Sequence, residues 1–223
     1  MKILALETST EACSVAIWMD GAVVERIESG NQHSGRILAM VDGLLQESGL
    51  SLTQFEAIAF GRGPGSFTGL RIGAGVAQGL AFGADIPVTP ISSLAALAQG
   101  VNASKVLAAF DAHMNQIYLG AYMKNSQGIA VLTGLESVVA PSDAPLPQGN
   151  DWVGAGNGWD KYYGVLLEHL RGHVVNWQKQ VNPLARYVGH LGAVACQAGK
   201  ALPAEQALPV YVRDDVAVKQ AKS

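Results

Sequence analysis

The alternation of apolar and polar positions divides the chain into short strands and longer helical runs. KILALETS, starting at Lys2, sets four apolar residues in a row before Glu7 and predicts a buried strand. ACSVAIWMDGAVVERIES follows, with two β-rich runs on either side of Asp20-Gly21, a dipeptide that predicts a hairpin. Ser34 stands where a helix cap belongs, and the spacing predicts a helix to about Ser48, ended by Gly49. FEAIAFG predicts a further strand, helical spacing runs from Ser66 to about Phe82, and a short helix follows Ser92. The pattern then restarts. KVLAAFDA at Lys105 echoes KILALETS, and QIYLGAYMKNSQGIAVL echoes the first hairpin, at an offset of roughly a hundred residues. APSDAPLPQG (Ala140–Gly149) predicts a loop, and WVGAGNGWDKYYGVLLEHL a strand, a glycine turn and a helix. NPLARYVGHLGAVACQAG predicts a helix with proline at its start and glycine at its end, and the tail LPVYVRDDVAVKQAKS begins as a strand. The repeat predicts an internally duplicated α/β protein. Its expected units are 1–104 and 105–223, each a mixed β-sheet with packed helices, with the helix over 183–198 packing back on the first.

The glycine-dense stretch AFGRGPGSFTGLRIGAGVAQGLAFG, Ala59 to Gly83, raises three possibilities: a phosphate loop, a strand-to-helix joint, or a surface for another protein. A P-loop needs a lysine after its last glycine, and none occurs between Lys2 and Lys105. The dinucleotide fingerprint fails as well, because Gly63 and Gly65 are followed by Thr68 at the third glycine position. Ser66 is a good helix cap, and free amides behind it would suit an anion. On a helix turning about 100° per residue, Leu70, Ala74, Ala77 and Ala81 form one apolar arc. Gly69, Ile72, Gly73, Val76 and Leu80 form another, while Arg71 and Gln78 share a narrow strip with Phe82 beside it. A helix apolar almost all round is buried on more than one side. Gly69/Gly73 and Gly75/Gly79/Gly83 each recur every four residues and permit close approach of another backbone. The helix from Ser34 adds a wide arc of Ile37, Leu38, Met40, Val41, Leu44 and Leu45. Pattern alone balances a protein interface against core packing within one domain.

Composition narrows the options. Hydrophobic residues make up 49% of the 223, charged residues 15%, and the net charge is -3, which fits a compact globular protein without the basic field of a stand-alone nucleic-acid binder. Cys13 and Cys196 lie far apart, which excludes a disulfide scaffold or a cysteine zinc site. The N-terminal apolar run is too short for a signal peptide, and the longest apolar stretch is interrupted by Gln78, so a cytoplasmic protein is expected. His169 and His173, four apart in HLRGH, have the spacing of a metal pair, but Gly172 and the lack of completing ligands favour a plain helix end.

ILALETSTEACSVAIW, the Ala59–Gly83 stretch, DIPVTPISSLAAL and the terminal PVYVR together resemble the TsaB (YeaZ) family over most of the chain. The resemblance implies a duplicated actin-like (ASKHA) α/β fold and a part in making threonylcarbamoyladenosine beside the tRNA anticodon. There the family acts as a non-catalytic partner of a TsaD-type enzyme, with a TsaE-type ATPase in the assembled complex. A homodimer is expected when the chain is alone, with tRNA held through partners, no membrane attachment and no cofactor. The catalytic relative carries two metal-binding histidines in a matching segment. Ser93 and Leu97 stand at those positions here and cannot ligate the metal. The expected partner interface comprises Ile37, Leu38, Val41, Leu44, Leu45, Leu70, Gly73, Val76, Ala77 and Leu80. The competing expectation is an actin-like ATPase or kinase, with Glu7 in ETSTE, Asp111 in DAHMN, and Gly154 and Gly156 in the Gly154–Gly158 turn as nucleotide residues. These turns also have the ordinary composition of strand ends. A third reading, a metalloprotease, loses its footing with the missing histidines.

Overall fold

The computed structural model describes residues 1–30 and 33–212. In chain order the strands and helices begin with β1 (Lys2–Glu7), β2 (Ala12–Met19), β3 (Ala22–Ser29), α1 (His33–Ser48), β4 (Ala57–Gly63), α2 (Phe67–Ala84), β5 (Val88–Ser92) and α3 (Ser93–Gly100). They continue with β6 (Lys105–Asp111), β7 (Ile117–Lys124), β8 (Ala130–Leu132), β9 (Ser137–Val139), β10 (Trp152–Ala155), α4 (Asn157–His169), β11 (Val174–Gln178) and α5 (Ala185–Gln197). The chain forms two compact units. Unit 1 takes Met1–Ala96 together with Pro183–Pro209, and unit 2 takes Leu97–Asn182 and the described residues after Pro209. The division therefore falls inside α3 rather than at 104/105.

Unit 1 is a five-stranded mixed sheet in the order β3-β2-β1-β4-β5, with β1, β4 and β5 parallel and β2 and β3 antiparallel. β1 is buried along almost its whole length, as a central strand covered on both faces must be. α1 and α2 pack on the sheet, and so does α5, which contacts β1, β2 and β4. The core joins Leu4, Leu6, Val15, Ile17, Ile58 and Phe60 of the strands to Ile37, Met40, Val41 and Leu44 of α1 and Ala74, Ala77 and Ala81 of α2. The hairpin turn is where it was expected: Asp20 and Gly21 both have positive φ (46° and 95°), the backbone of a turn whose twist matches the strands. α1 ends at Gly49 through Leu50 N–H to Leu45 O (3.2 Å) and Gly49 N–H to Gln46 O (3.3 Å), a Schellman closure. Its start differs from expectation. The helix already includes His33, so Ser34 lies inside the first turn instead of capping it. Ser66 does cap α2, its Oγ accepting from Gly69 N–H.

Unit 2 repeats the plan. Its sheet runs β8-β7-β6-β10-β11, with an antiparallel hairpin on one side of β6 and parallel β10 and β11 on the other, while β9 pairs β7. β6 occupies the place of β1, as the echo between Lys2 and Lys105 predicts. The molecule is a duplicated actin-like α/β fold. Unit 2 buries Leu107, Ile117, Leu119, Trp152, Trp159, Leu166 and Leu170 in its own core. The tail departs from expectation. Leu208 to Val212 forms no strand, Leu208 is 62% exposed, and the nearest sheet contact is the bridge between Leu202 and Val88. Arg213 onward lies outside the described residues.

α5 starts where Ala185 N–H donates to the buried Oγ of Ser14, 2.8 Å away on β2. Removing that acceptor leaves a buried N–H unpaired, which costs about 1–3 kcal/mol. Ser14→Ala is expected to lower the thermal midpoint by about 2–10 °C, measured by calorimetry, whereas Ser126→Ala at an exposed turn leaves it within about 2 °C.

Candidate protein-binding face

The site is built around the turn after β1. Glu7, Thr8 and Ser9 are 0%, 1% and 2% exposed. Glu7 Oε1 accepts from Ser9 N–H (2.7 Å), and its Oε2 accepts from the hydroxyl of Ser93 (2.9 Å) at the start of α3. Thr8 Oγ1 donates to Gly69 O (2.8 Å), and Ser66 N–H donates to Ser9 O (2.7 Å). The first turns of α2 therefore lie directly on the β1–β2 turn. A methyl group on Gly69 or Gly73 would collide with the carbonyl or hydroxyl oxygen of Thr8, so this row of glycines is a close-packed joint. The helix start is held on that turn through Ser66 N–H and Gly69, while Phe67 and Thr68 stay exposed. Burial pushes the Glu7 carboxyl above its ordinary value, while hydrogen bonds from Ser9 and Ser93 pull the other way.

The unit 2 candidates are occupied in the same manner. Asp111 Oδ2 pairs with Lys161 Nζ at 2.7 Å, and its Oδ1 accepts from His113 N–H (3.1 Å) and Tyr162 O–H (3.3 Å). Burial raises the Asp111 carboxyl, but Lys161 and the His113 amide outweigh it and hold the group below its usual range. Gly154 faces the Trp159 ring and Gly156 faces the Ala109 carbonyl, so the glycine turn packs against its own unit. Glu7 and Asp111 thus sit in separate networks, each with its oxygens engaged. His169 Nε2 lies 2.8 Å from Ala144 O and His173 Nδ1 lies 2.7 Å from Gly149 O. Each histidine ties down the proline-rich loop, and among the described residues no cluster of His, Cys, Asp or Glu suited to a metal occurs. Ser93 is committed to Glu7, and Leu97 is fully buried.

The expected interface residues divide sharply. Ile37, Val41, Leu44, Leu70 and Ala77 are at most 1% exposed, and Gly73 is buried against Thr8. These six belong to the core of unit 1, because α1 and α2 turn those arcs onto the sheet. Leu45, Val76 and Leu80 are half-buried at the core's margin, and Leu38 is 48% exposed. Outward from α2 point Phe67, Arg71, Gly75, Gly79, Phe82 and Gly83, with Phe82 78% exposed. The Arg71 guanidinium lies 3.5 Å from the centre of the Phe67 ring. A Cβ on Gly75, Gly79 or Gly83 would meet nothing within 4 Å. Two glycine rows with one spacing therefore do opposite things: Gly69/Gly73 closes the joint, and Gly75/Gly79/Gly83 lies open to solvent. Phe67 was not read as exposed from the sequence. Its place directly after the Ser66 cap, before the buried arc begins, was the available signal.

Glu7 gives a test of the closed turn. Its raised value means the fold favours the neutral carboxyl, so this contribution is full below pH 4.5 and is lost as pH rises through the folded-state value. Glu7→Gln keeps an acceptor for Ser9 and removes the charge. Its thermal midpoint is expected to exceed that of the parent at about pH 8, with the gain shrinking toward about pH 4.5. A gain independent of pH would show that the charge on Glu7 is not what the fold resists.

The chain matches a family model described as TsaD: tRNA N6-adenosine threonylcarbamoyltransferase, over residues 23–221. It is 42% identical to the tRNA threonylcarbamoyladenosine biosynthesis protein TsaB of Escherichia coli (strain K12), covering 99% of this chain and 98% of that protein. Identity to the TsaB protein of Haemophilus influenzae is 40%, over 99% of this chain and 97% of that one. Among solved structures it is similar to YeaZ from Pseudomonas aeruginosa, with a TM-score of 0.87 and 44% identity over 94% of this chain and 99% of that one. Fold, full-length coverage and identity agree, and the chain belongs to the TsaB (YeaZ) family of tRNA threonylcarbamoyladenosine biosynthesis proteins.

Proposed function

We propose that this chain is a non-catalytic subunit that binds a TsaD-type threonylcarbamoyltransferase through the outer face of α1 and α2. The open row of Gly75, Gly79 and Gly83, flanked by Phe82, Val76 and Leu80, carries this reading. Glycines exposed mid-helix cost stability in a free chain, and they are useful where a second helix must come close. Burying exposed Phe82 and Leu38 against a partner would contribute about 1.5–3 kcal/mol each. When the enzyme is absent, the same face would pair with a second copy. A TsaE-type ATPase joins the assembled complex, tRNA is held mainly by the partners, and the work is cytoplasmic. Among the described residues no helix is long and apolar enough to cross a membrane. The relatives are tRNA threonylcarbamoyladenosine biosynthesis proteins by name, and the engaged oxygens of Glu7 and Asp111 with the packed Gly154–Gly158 turn favour this reading over an ATPase or kinase.

Leu38→Asp and Phe82→Asp change exposed side chains, so folding stability is expected to stay within about 0.5 kcal/mol. Association with the TsaD-type enzyme, read by size exclusion and calorimetric titration, is expected to fall by about tenfold or more for each, more than about 1.4 kcal/mol. Unchanged association in both would place the interface elsewhere. Gly75→Ala and Gly79→Ala provide an independent check. Each is expected to raise the stability of the isolated chain by about 0.5–1 kcal/mol through helix propensity. Each is also expected to weaken pairing, because the added methyl holds the second helix away.

A further inference from the structure

Unit 2 carries an aromatic surface that plays no part in the pairing of α1 and α2. β11 is the outermost strand of its sheet. Its ladder to β10 slips by one residue, with Trp152 opposite Val174 and Val153 opposite Asn176. The extra residue, Val175, is turned out and is 60% exposed. Beyond the bulge Trp177 pairs with Gly154, on whose face the α4 residue Trp159 also sits. Trp177 therefore points toward α4, and there Tyr163 stacks on it with ring centroids 5.0 Å apart and planes 13° from parallel. Tyr163 remains 50% exposed, so its other face is open. The ammonium of Lys179 lies 5.3 Å from the Trp177 ring and has no carboxylate partner among the described residues. Lys161, 5.0 Å from the Tyr162 ring, is held by Asp111. The neighbouring acid Asp160 accepts from Gln180 N–H at 3.3 Å.

We propose that Tyr163, backed by Trp177, is a stacking platform for an unpaired RNA base, with Lys179 placed against the adjoining phosphate. Two physical points select RNA over a protein partner. A planar ring with one face braced and one face free offers area of base size at little entropic cost, and such stacking tolerates any base. Tyr and Trp suit protein–protein interfaces as well, but lysine is depleted there, and aromatic rings bordered by a cation are the composition of single-strand sites. The net charge of -3 means that stacking must supply most of the affinity. This assignment rests on the reading that the chain serves tRNA modification, and it adds a direct RNA contact to a subunit whose tRNA is otherwise held by partners.

The test uses the full chain and a fluorescein-labelled RNA hairpin with an unpaired loop, read by anisotropy. The same sequence closed into a duplex serves as the control. The loop is expected to bind better than the duplex, with Tyr163→Ala weakening it about 5- to 100-fold and Tyr163→Phe retaining it. Lys179→Ala is expected to weaken it less and to flatten the salt dependence by a slope of about 0.7. Melting curves of Tyr163→Phe and Lys179→Ala should match the parent, while Tyr163→Ala, which loses the stack on Trp177, is expected to melt a few degrees lower and remain folded at the assay temperature. Absence of loop binding by the parent, equal binding by Tyr163→Ala, or equal binding of loop and duplex would each overturn the platform. Cellular threonylcarbamoyladenosine content separates this from the broader reading. A chain that supports the modification yet binds no loop overturns the platform alone, and a chain that supports none overturns the function on which it rests.

Discussion

The seating of α2 on the turn after β1 governs what the rest of unit 1 can do. Three hydrogen bonds, from Thr8 to Gly69, Ser66 to Ser9 and Ser93 to Glu7, hold the turn, the helix start and the start of α3 as one piece. They form only because the glycines let the helix backbone reach the turn. The arrangement fixes the rotation of α2 about its axis. Once Gly69 and Gly73 face Thr8, the arc of Leu70, Ala74, Ala77 and Ala81 must enter the core, and Gly75, Gly79 and Gly83 must face away from it. A polar contact at one end of the helix thus determines which residues are offered at its surface.

The same seating closes off the strand end at which a carboxylate would otherwise be exposed. A carboxylate at a strand end becomes a reagent when water, a metal or a phosphate can reach it. Glu7 has been enclosed instead, its oxygens turned to an amide and a hydroxyl. Asp111 in the second copy is more accessible, yet its charge is neutralised by Lys161 and braced by Tyr162. The duplication has preserved the positions while each copy has found its own way to satisfy them.

Much of the architecture was legible in the sequence. The Asp20-Gly21 hairpin, the restart at Lys105, the cap at Ser66 and the Gly49 stop are all set by local rules, and local rules can be read from neighbours. The candidate face was legible only in part. Gly69/Gly73 and Gly75/Gly79/Gly83 have identical spacing, and what separates them is Thr8, a residue brought close by the sheet. Ile37, Val41, Leu44 and Ala77 looked equally suited to core and interface because apolar periodicity reports that a face is covered, without saying by what. Ser34 lies one residue inside the helix rather than at its cap, and the Leu208–Val212 run, apolar enough for a strand, pairs with none. Apart from the Ser34 boundary, each miss concerns a partner distant along the chain.

The return of α5 to the first sheet sets an order on how the protein can be made. Residues 1–96 leave the ribosome without the helix that packs against β1, β2 and β4, and that helix follows only after Pro183. Until then one apolar surface of the nascent sheet has no cover, while most of unit 2, from Leu97 to Asn182, has already been made. Most of the second unit is therefore made before the first unit can be covered. The growing chain carries an unfinished sheet for the time taken to translate the intervening segment, a consequence of topology rather than of any one residue.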